Sequence, residues 1–319
     1  MKELGVNKME NSLNIRYLID LKTKRFINQA KLLYDTFQIK PLLYGSLGLE
    51  VLLNESLASD DIDILIPKVY LEEKWNDFKS FLEENGYTLI DEHEHTFLKD
   101  KVAYAYASIE ELKTFANIKL DEIKQNEVYQ ELNLRQFLRV YHSSIKDGYR
   151  INHRQKKDQD KIDMICQSLV SLVEPSMDML EYKQKMISDF ATMSYNHQTI
   201  EFPKERWQDW YNRWIGNKDP NYFYRYLYSH EYKAFIGEIA YHLVDNCFVC
   251  DILIEHKYRH QLFGLIGLDM LSKSAKDNGI LELYDYISKD NPSIHLFLKN
   301  GFELLEITEK DFVVRKKLS

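Results

Sequence analysis

Glycine is scarce in this chain. It accounts for 11 of 319 residues, about half the usual share of ~7%. Proline is scarcer still, at 6. The few glycines therefore mark places where the backbone needs their geometry. Cysteine is almost absent: Cys166, Cys247 and Cys250 are too few, and odd in number, for a disulfide framework. No apolar run approaches the ~18 residues of a transmembrane helix, so no membrane partner is expected. The first residues, MKELGVNKMENSLNIRYLID, lack the apolar stretch and small-residue cleavage site of a signal peptide, and a cytoplasmic location is expected. Positive charge is not in excess. There are 42 basic and 50 acidic residues, giving a net charge of −8, and both halves are acidic on balance, which gives no nucleic-acid signal. Low-complexity tracts, Gly/Ser linkers and fixed-period repeats are also missing.

Apolar residues make up 45%, charged residues 29% and aromatic residues 13%, enough to build hydrophobic cores. The length suggests two domains at about 150 residues each. The natural division is Val173-Glu174-Pro175-Ser176, because Pro175 disfavours helical geometry at Glu174. The expected domains are residues 1–174 and 175–319. In the first, a long helix over Leu13–Phe37 precedes short strands near Pro41–Tyr44 and Ile62–Ile66. A helix over Lys68–Asn85, strands at Tyr87–Ile90, Thr96–Leu98 and Val102–Ala107, and a helical tail reaching Leu172 complete it. In the second, early helices include the Trp-rich stretch Glu205–Ile215. Strands follow at Tyr222–Tyr228, Ala234–Leu243, Phe248–Ile254 and Gly279–Ile287, then a final strand pair. The fold class is α/β (α+β), with two mixed sheets flanked by helices.

The most informative stretch is CDILIEHKYRHQLFGLIGLDML, Cys250 to Leu271. An apolar strand ends at Ile254, and a turn runs into a helix near Phe263-Gly264. Successive main-chain amides at a helix N-terminus, at the positive end of its dipole, suit a pyrophosphate. Arg259-His260-Gln261-Leu262-Phe263-Gly264 resembles the R/Q-x-x-G-x-G/A motif of GNAT-type N-acetyltransferases, with Leu262 in place of the first glycine. Downstream, Asp290 to Glu306 (DNPSIHLFLKNGFELLE) resembles that family's second signature, a short helix running into Gly-Phe. The resemblance covers roughly residues 177–319. It implies acetyl-CoA bound in a splayed gap beside Ile252, Leu253 and Ile254, with its pyrophosphate on the amides of His260, Gln261, Leu262, Phe263, Gly264 and Leu265. It also implies transfer of acetyl to a primary amine of a small molecule or protein. Arg259 and Gln261 would add side-chain donors. The family's acid is often a Tyr where Phe297 stands here, and its Asn aligns with Asp290. Asp285 falls where some members keep a base, and Tyr284 and Tyr286 are close enough to replace the missing acid, with Tyr286 the chosen candidate.

In the first half, Gly45-Ser46 closes a strand and opens a helix, a start again suited to a nucleotide phosphate. Asp61-Ile62-Asp63 enters the next strand, with both carboxylates on one face, where they can hold Mg2+ and a nucleoside triphosphate. This resembles the nucleotidyltransferase superfamily that includes aminoglycoside- and lincosamide-modifying enzymes. The tail RQKKDQDKIDMI, from Arg154, then implies a phosphate contact from Lys156 or Lys157, with Lys157 the chosen candidate. A third carboxylate is missing from Val102–Ala107, so a binding-only domain is expected.

Three weaker patterns receive plainer readings. Cys247 and Cys250 form an isolated CxxC on a strand, which puts them on opposite faces. Asp91–His95 is a charged loop. Trp207, Trp210 and Trp214 have core spacing, although the family's early helices also border its acceptor cleft. The expected function is an acetyl-CoA-dependent N-acetyltransferase. The alternatives are a bifunctional antibiotic-modifying enzyme and a non-catalytic sensor of acetyl-CoA and nucleotide.

Overall fold

Short apolar runs bounded by turn residues form strands and the longer 3.6-period stretches form helices, so both halves are mixed α/β, as the sequence predicts. The computed structural model describes residues 2–146, 155–196 and 198–318. Arg154, at the head of the expected phosphate-binding tail, lies outside the described residues. Contacts divide the chain into two units, Met1–Gln159 and Asp160–Ser319.

The first unit holds strands β1 (Leu42–Leu43), β2 (Asp61–Ile66), β3 (Thr88–Asp91), β4 (Thr96–Lys99), β5 (Val102–Ser108), β6 (Lys124–Gln125) and β7 (Gln130–Glu131). Their order in the sheet is β3-β4-β5-β2-β1-β7-β6. β2 and β5 run parallel, from Asp61↔Ala103 to Ile66↔Ser108. The long helix Lys2–Phe37 drives Phe26, Ala30 and Leu33 into a core shared with Ile62, Ile64, Phe78 and Tyr106. The helix expected over Lys68–Asn85 is instead a 3₁₀ turn, Lys68–Tyr70, followed by a helix at Trp75–Glu84. The break lets Tyr70 and Phe78 both pack on Phe37.

The second unit holds β8 (Val170–Val173), β9 (Tyr222–Ser229), β10 (Ala234–Val244), β11 (Cys247–Ile254), β12 (Glu282–Ser288), β13 (Glu303–Ile307) and β14 (Asp311–Lys317). Their order is β13-β14-β12-β11-β10-β9-β8. The tail helix stops at Leu169, and Val170–Val173, of which Val170–Leu172 was expected as helix, is a strand paired with β9. Its β-branched ends favour the extended form once an edge is available. β8 to β11 form an antiparallel meander, and the helix Phe263–Asp277 crosses from β11 to a parallel β12. That parallel pairing is made at one position, Val249↔Tyr284. β10 and β11, by contrast, pair continuously from Gly237↔Ile254 to Val244↔Cys247.

Alternation along the strands gives the sheet two different faces. Leu227, Ile239 and Ile252 face the helix Phe263–Asp277. Gly267 lets the helix settle onto them, since a Cβ there would lie 2.7 Å from Ile252 Cδ1 and 3.2 Å from Leu227 Cδ1. Tyr224, Tyr226, Ala240 and Leu253 face the aromatic segment around Trp207–Trp214. Gly237 sits at a bulge in β10. A Cβ there would strike the Leu253 carbonyl oxygen and lie 3.0 Å from Ile254 Cα. Main chain cannot step aside as a side-chain tip can, so Gly237→Ala should cost the second unit about 3 kcal/mol. A lower urea midpoint for that unit is the expected reading.

Candidate functional site

Where β11 and β12 part beyond their one pairing, a cleft of about 640 Å³ opens. Of the residues expected to bind coenzyme, Ile252, Leu253, Ile254, Arg259, His260, Leu262, Gly264, Leu265 and Phe297 line it. So do Asp285 and Tyr286. Gln261, Phe263 and Asp290 are not among its lining residues. Gln261 accepts a 2.5 Å hydrogen bond from Tyr232. Phe263 is buried among the rings of Tyr232 and Tyr258. Asp290 accepts from Ser288 Oγ at 2.6 Å.

The turn before the helix has an unusual backbone. His260 and Leu262 both adopt left-handed geometry, at φ +62° and +65°, and Leu262 caps the helix without a side-chain bond. Such residues cost about 1–2 kcal/mol each. This explains why glycine suits the position that Leu262 fills in the resembled motif. The result is a set of consecutive amides around an uncapped helix N-terminus, an anion-binding arrangement. Gly264 keeps its rim low, because a Cβ there would lie 2.8 Å from Leu296 Cδ2.

Arg259, expected as a phosphate donor, is committed to the protein. It donates to Ile254 O (3.1 Å), Ser194 Oγ (3.2 Å), Ala191 O (3.4 Å) and Thr192 O, and it lies over Tyr195, 4.3 Å from the ring centroid. With His256, which pairs with Asp189 at 3.3 Å, it clamps the segment 189–195 against the end of β11. Tyr195 and Asn196 thereby become part of the cleft wall. Phe297 is buried edge-on against Phe302, at 4.9 Å between centroids, and has no proton to give.

Sequence reasoning missed Asp251. It follows the buried Cys250 on β11, and strand alternation places it on the same face as Leu253, Ala240 and His242. His242 Nδ1 lies 3.7 Å from Asp251 Oδ2. A second cavity, of about 490 Å³, opens on that face, and Asp251, Ile252, Leu253 and Asn196 line both cavities. The available signal was a lone carboxylate inside an apolar period-2 strand. Asp285, one residue past the Val249↔Tyr284 pair, falls by alternation on the face of Cys250, toward the helix. Burial pushes its carboxyl well above the usual carboxylate range, and the charge of Asp251 pushes it the same way. Burial also raises Asp251, opposed by His242. With 65% of its side chain exposed to the cleft, water weakens that push relative to the one on Asp285.

In the first unit, Asp63 lies against Gly45, where a Cβ would collide with its carboxylate. A carboxylate of the protein thus stands at the helix N-terminus expected to meet phosphate. Ser46, like Asp63, has partners within the protein. Asp61 and Asp63 pair in register with Ala103 and Ala105, not with a third carboxylate. Glu50 is buried and accepts from Leu57 N, Ser59 N and Ser59 Oγ. Lys157 is exposed on the helix Gln155–Leu169. Among the described residues no group of three or more His, Cys, Asp or Glu side chains is placed to hold a metal ion. Cys247 and Cys250 are free thiols, and burial pushes the Cys250 thiol well above its ordinary value.

Fold and site together define a mixed α/β unit with a cleft opened between two parallel strands and bounded by a helix N-terminus. No family model matches the chain. It is 40% identical over 144 residues to a protein of Bacillus subtilis (strain 168) described as "Uncharacterized protein YnaI". That match spans 44% of this chain and 92% of the Bacillus protein. The chain belongs to the family of YnaI. Solved structures similar to it include the PaiA N-acetyltransferase of Thermoplasma acidophilum in complex with coenzyme A. It shows 20% identity over 46% of this chain and 98% of that one, with a TM-score of 0.37. The spermidine N-acetyltransferase of Vibrio cholerae, in complex with CoA and spermine, shows 15% identity over 46% and 94%, with a TM-score of 0.38. A GNAT-family acetyltransferase of Streptococcus pneumoniae shows 12% identity over 47% and 99%, with a TM-score of 0.41.

The raised carboxyl of Asp285 has a consequence for stability. Between the unfolded value near 3.9 and its higher folded value, the unfolded chain binds fewer protons, so stability falls as pH rises through that window. Above the folded value the penalty is constant. Asp285→Asn should therefore raise the thermal midpoint at pH 7–8, with the gain vanishing below about pH 4. Paired melting curves across pH would read it.

Proposed function

We propose that the second unit is an acyl-coenzyme A-dependent N-acyltransferase of the GNAT type, transferring acetyl to a primary amine. The observation that carries this reading is the single pairing of β11 with β12. Beyond it, the main-chain groups of Asp251–Ile254 that face β12, apart from the Ile254 carbonyl held by Arg259, have no strand partner, and buried backbone polar groups require a partner. An extended amide-bearing chain such as pantetheine satisfies them, much as an added strand would. Its pyrophosphate would meet the amides of His260–Leu265. The cleft volume lies within the usual range for small-molecule sites, about 300–1,000 Å³.

The coenzyme supplies an activated acyl thioester, and the residues of the cleft manage protons. Attack requires a neutral amine. Asp251, on the line where the two cavities meet, would take the N–H proton as the C–N bond forms. As the C–S bond breaks, Tyr286 would give its phenolic proton to the departing sulfur, and the proton held by Asp251 would return through water to the phenolate. The Tyr286 side chain lines the cleft, and the residue is 55% exposed. By strand alternation from the Val249↔Tyr284 pair, it lies on the same face as Asp251. Asp285, on the other face, raises the local proton affinity without touching the amine.

Two measurements test this reading. Gly264→Asp places a carboxylate at the expected pyrophosphate position, where the helix dipole favours it, so the fold should hold. Calorimetry should then show acetyl-CoA affinity falling at least tenfold, or about 1.4 kcal/mol. Undiminished affinity would refute the pyrophosphate placement. Asp251→Asn should lower kcat about 10²–10³-fold with acetyl-CoA affinity kept. It should also remove the rising acid limb of the kcat/KM profile, which the raised carboxyl places above the ordinary carboxylate range.

A further inference from the structure

The second cavity shows what kind of amine could enter it, an inference that rests on the acyl-transfer reading. Trp210 and Trp214 stack at 5.9 Å with 23° between their planes, and both line the cavity. Trp214 is held on a π-turn, Asn212–Gly216, a feature frequent at functional sites. Its ring is braced edge-on by Tyr222 and by His242, with centroids 5.1 and 5.2 Å away. Trp210 and Trp214 give the cavity an aromatic wall, with Tyr222 and His242 bracing Trp214 from behind.

The charges inside the cavity are unevenly matched. Glu238 is already neutralised: Lys183 Nζ lies 2.9 Å from Oε1, and Tyr224 donates to Oε2. The Lys183 ammonium also fills the space over the rings of Trp210 (5.1 Å) and Tyr224 (4.9 Å), the seat a cationic ligand would otherwise take. At the rim, Arg206 and Arg213 are balanced by Glu201 and Asp209, all four exposed and so weak in effect. Asp251 stands exposed at the junction with the coenzyme cleft, with His242 as its near basic partner and the charge of Lys183, already paired to Glu238, acting on it more weakly.

We infer that the second cavity takes the acceptor, and that the acceptor is a primary monoamine on an aromatic or arylalkyl body, its nitrogen at Asp251 and its ring against Trp214. A linear polyamine is disfavoured. Its further ammonium groups would meet Lys183, Glu238 already paired, and an apolar wall that satisfies none of their hydrogen bonds.

Tryptophan fluorescence of the full chain, titrated without coenzyme at matched ionic strength, compares 2-phenylethylamine with spermidine. The aromatic amine should bind at least tenfold tighter. Trp214→Ala should weaken it by about tenfold or more, and Trp214→Phe, which keeps a flat ring, should largely retain it. Should Trp214→Ala fail to fold, Asp251→Asn should still abolish the preference for the amine over its uncharged alcohol analogue. Equal or tighter binding of spermidine, or indifference to both substitutions, would overturn the inference. Thiol release from acetyl-CoA with the same two amines then separates the two levels of the argument. Acetyl-CoA binding with turnover of spermidine alone sinks the acceptor class, whereas aromatic-amine binding with no affinity for acetyl-CoA sinks the acyl-transfer reading and leaves the amine site.

Discussion

The second unit depends on an interruption in a sheet. Parallel neighbours ordinarily share evenly spaced hydrogen bonds along their length, but β11 and β12 meet at Val249↔Tyr284 and then separate. Each group left unpaired past that point would cost free energy if buried dry, so the gap must stay wet or hold a polar chain. The strands are held firmly on their other sides. β11 is tied along its length to β10, and β12 to β14, so they cannot simply close together. Both candidate cavities follow from this. The gap connects one face of the sheet to the other, and Asp251, Ile252 and Leu253 are shared because they lie on its edge.

The division of labour between the faces follows from the period of two. Even a single-residue slip of β11 against β10 would carry Asp251 to the helix side and bring Ile252 against the aromatic wall. Gly237 guards that register. Its bulge brings the β10 main chain so close to Leu253 and Ile254 that a side chain has no room. The aromatic segment contributes little regular structure, being a short helix and a π-turn, yet it is fixed by ring contacts and by the Trp207 Nε1 bond to Phe202 O at 3.0 Å. A wall made of rings loses little side-chain entropy on ordering. Weak secondary structure is therefore no obstacle to a defined cavity.

How much of this was legible in the sequence depended on how local the signal was. The strand–turn–helix from Cys250 to Leu271 could be read because its apolar periodicity changes within a few residues. The cleft-lining positions Ile252–Ile254, Leu262, Gly264 and Leu265 came from the family resemblance that this stretch carries. The positive φ of Leu262 was hidden, because leucine gives no hint of left-handed backbone. Arg259 was read as a phosphate donor, but its guanidinium holds the segment 189–195, a long-range contact that no spacing rule encodes. Val170–Leu172 was assigned to a helix because a short apolar run does not distinguish helix from strand. The available edge of β9 decided it. Asp251 was passed over for Asp285 because the choice depends on which face meets the acceptor cavity, and that required the register with β10. In the first unit, Gly45 and Asp63 do come together, but as carboxylate against helix start, which motif spacing alone cannot distinguish from an open phosphate site.

A splayed sheet needs one rigid wall, and the far side of the cleft supplies it through a buried polar network. Asn300 donates from Nδ2 to Asp269 Oδ1 at 2.6 Å, and Lys316 Nζ donates to Asn300 Oδ1 at 2.7 Å and to Ser272 Oγ at 3.1 Å. Burial pushes the Lys316 ammonium down and the charge of Asp269 pulls it back up. These bonds join three elements, the helix Phe263–Asp277, the end of the helix Ile294–Lys299 and strand β14. The network therefore ties the amide-bearing helix to the wall that carries Leu296 and Phe297. Replacing such a set with apolar residues can preserve stability, but it would surrender the directional bonds that fix the helix start relative to β11. The strain at His260 and Leu262 can persist only because both ends of that turn are anchored, by the Arg259 clamp before it and by the buried network along the helix after it. The geometry of the cleft thus depends as much on the polar residues behind its walls as on the residues that line it.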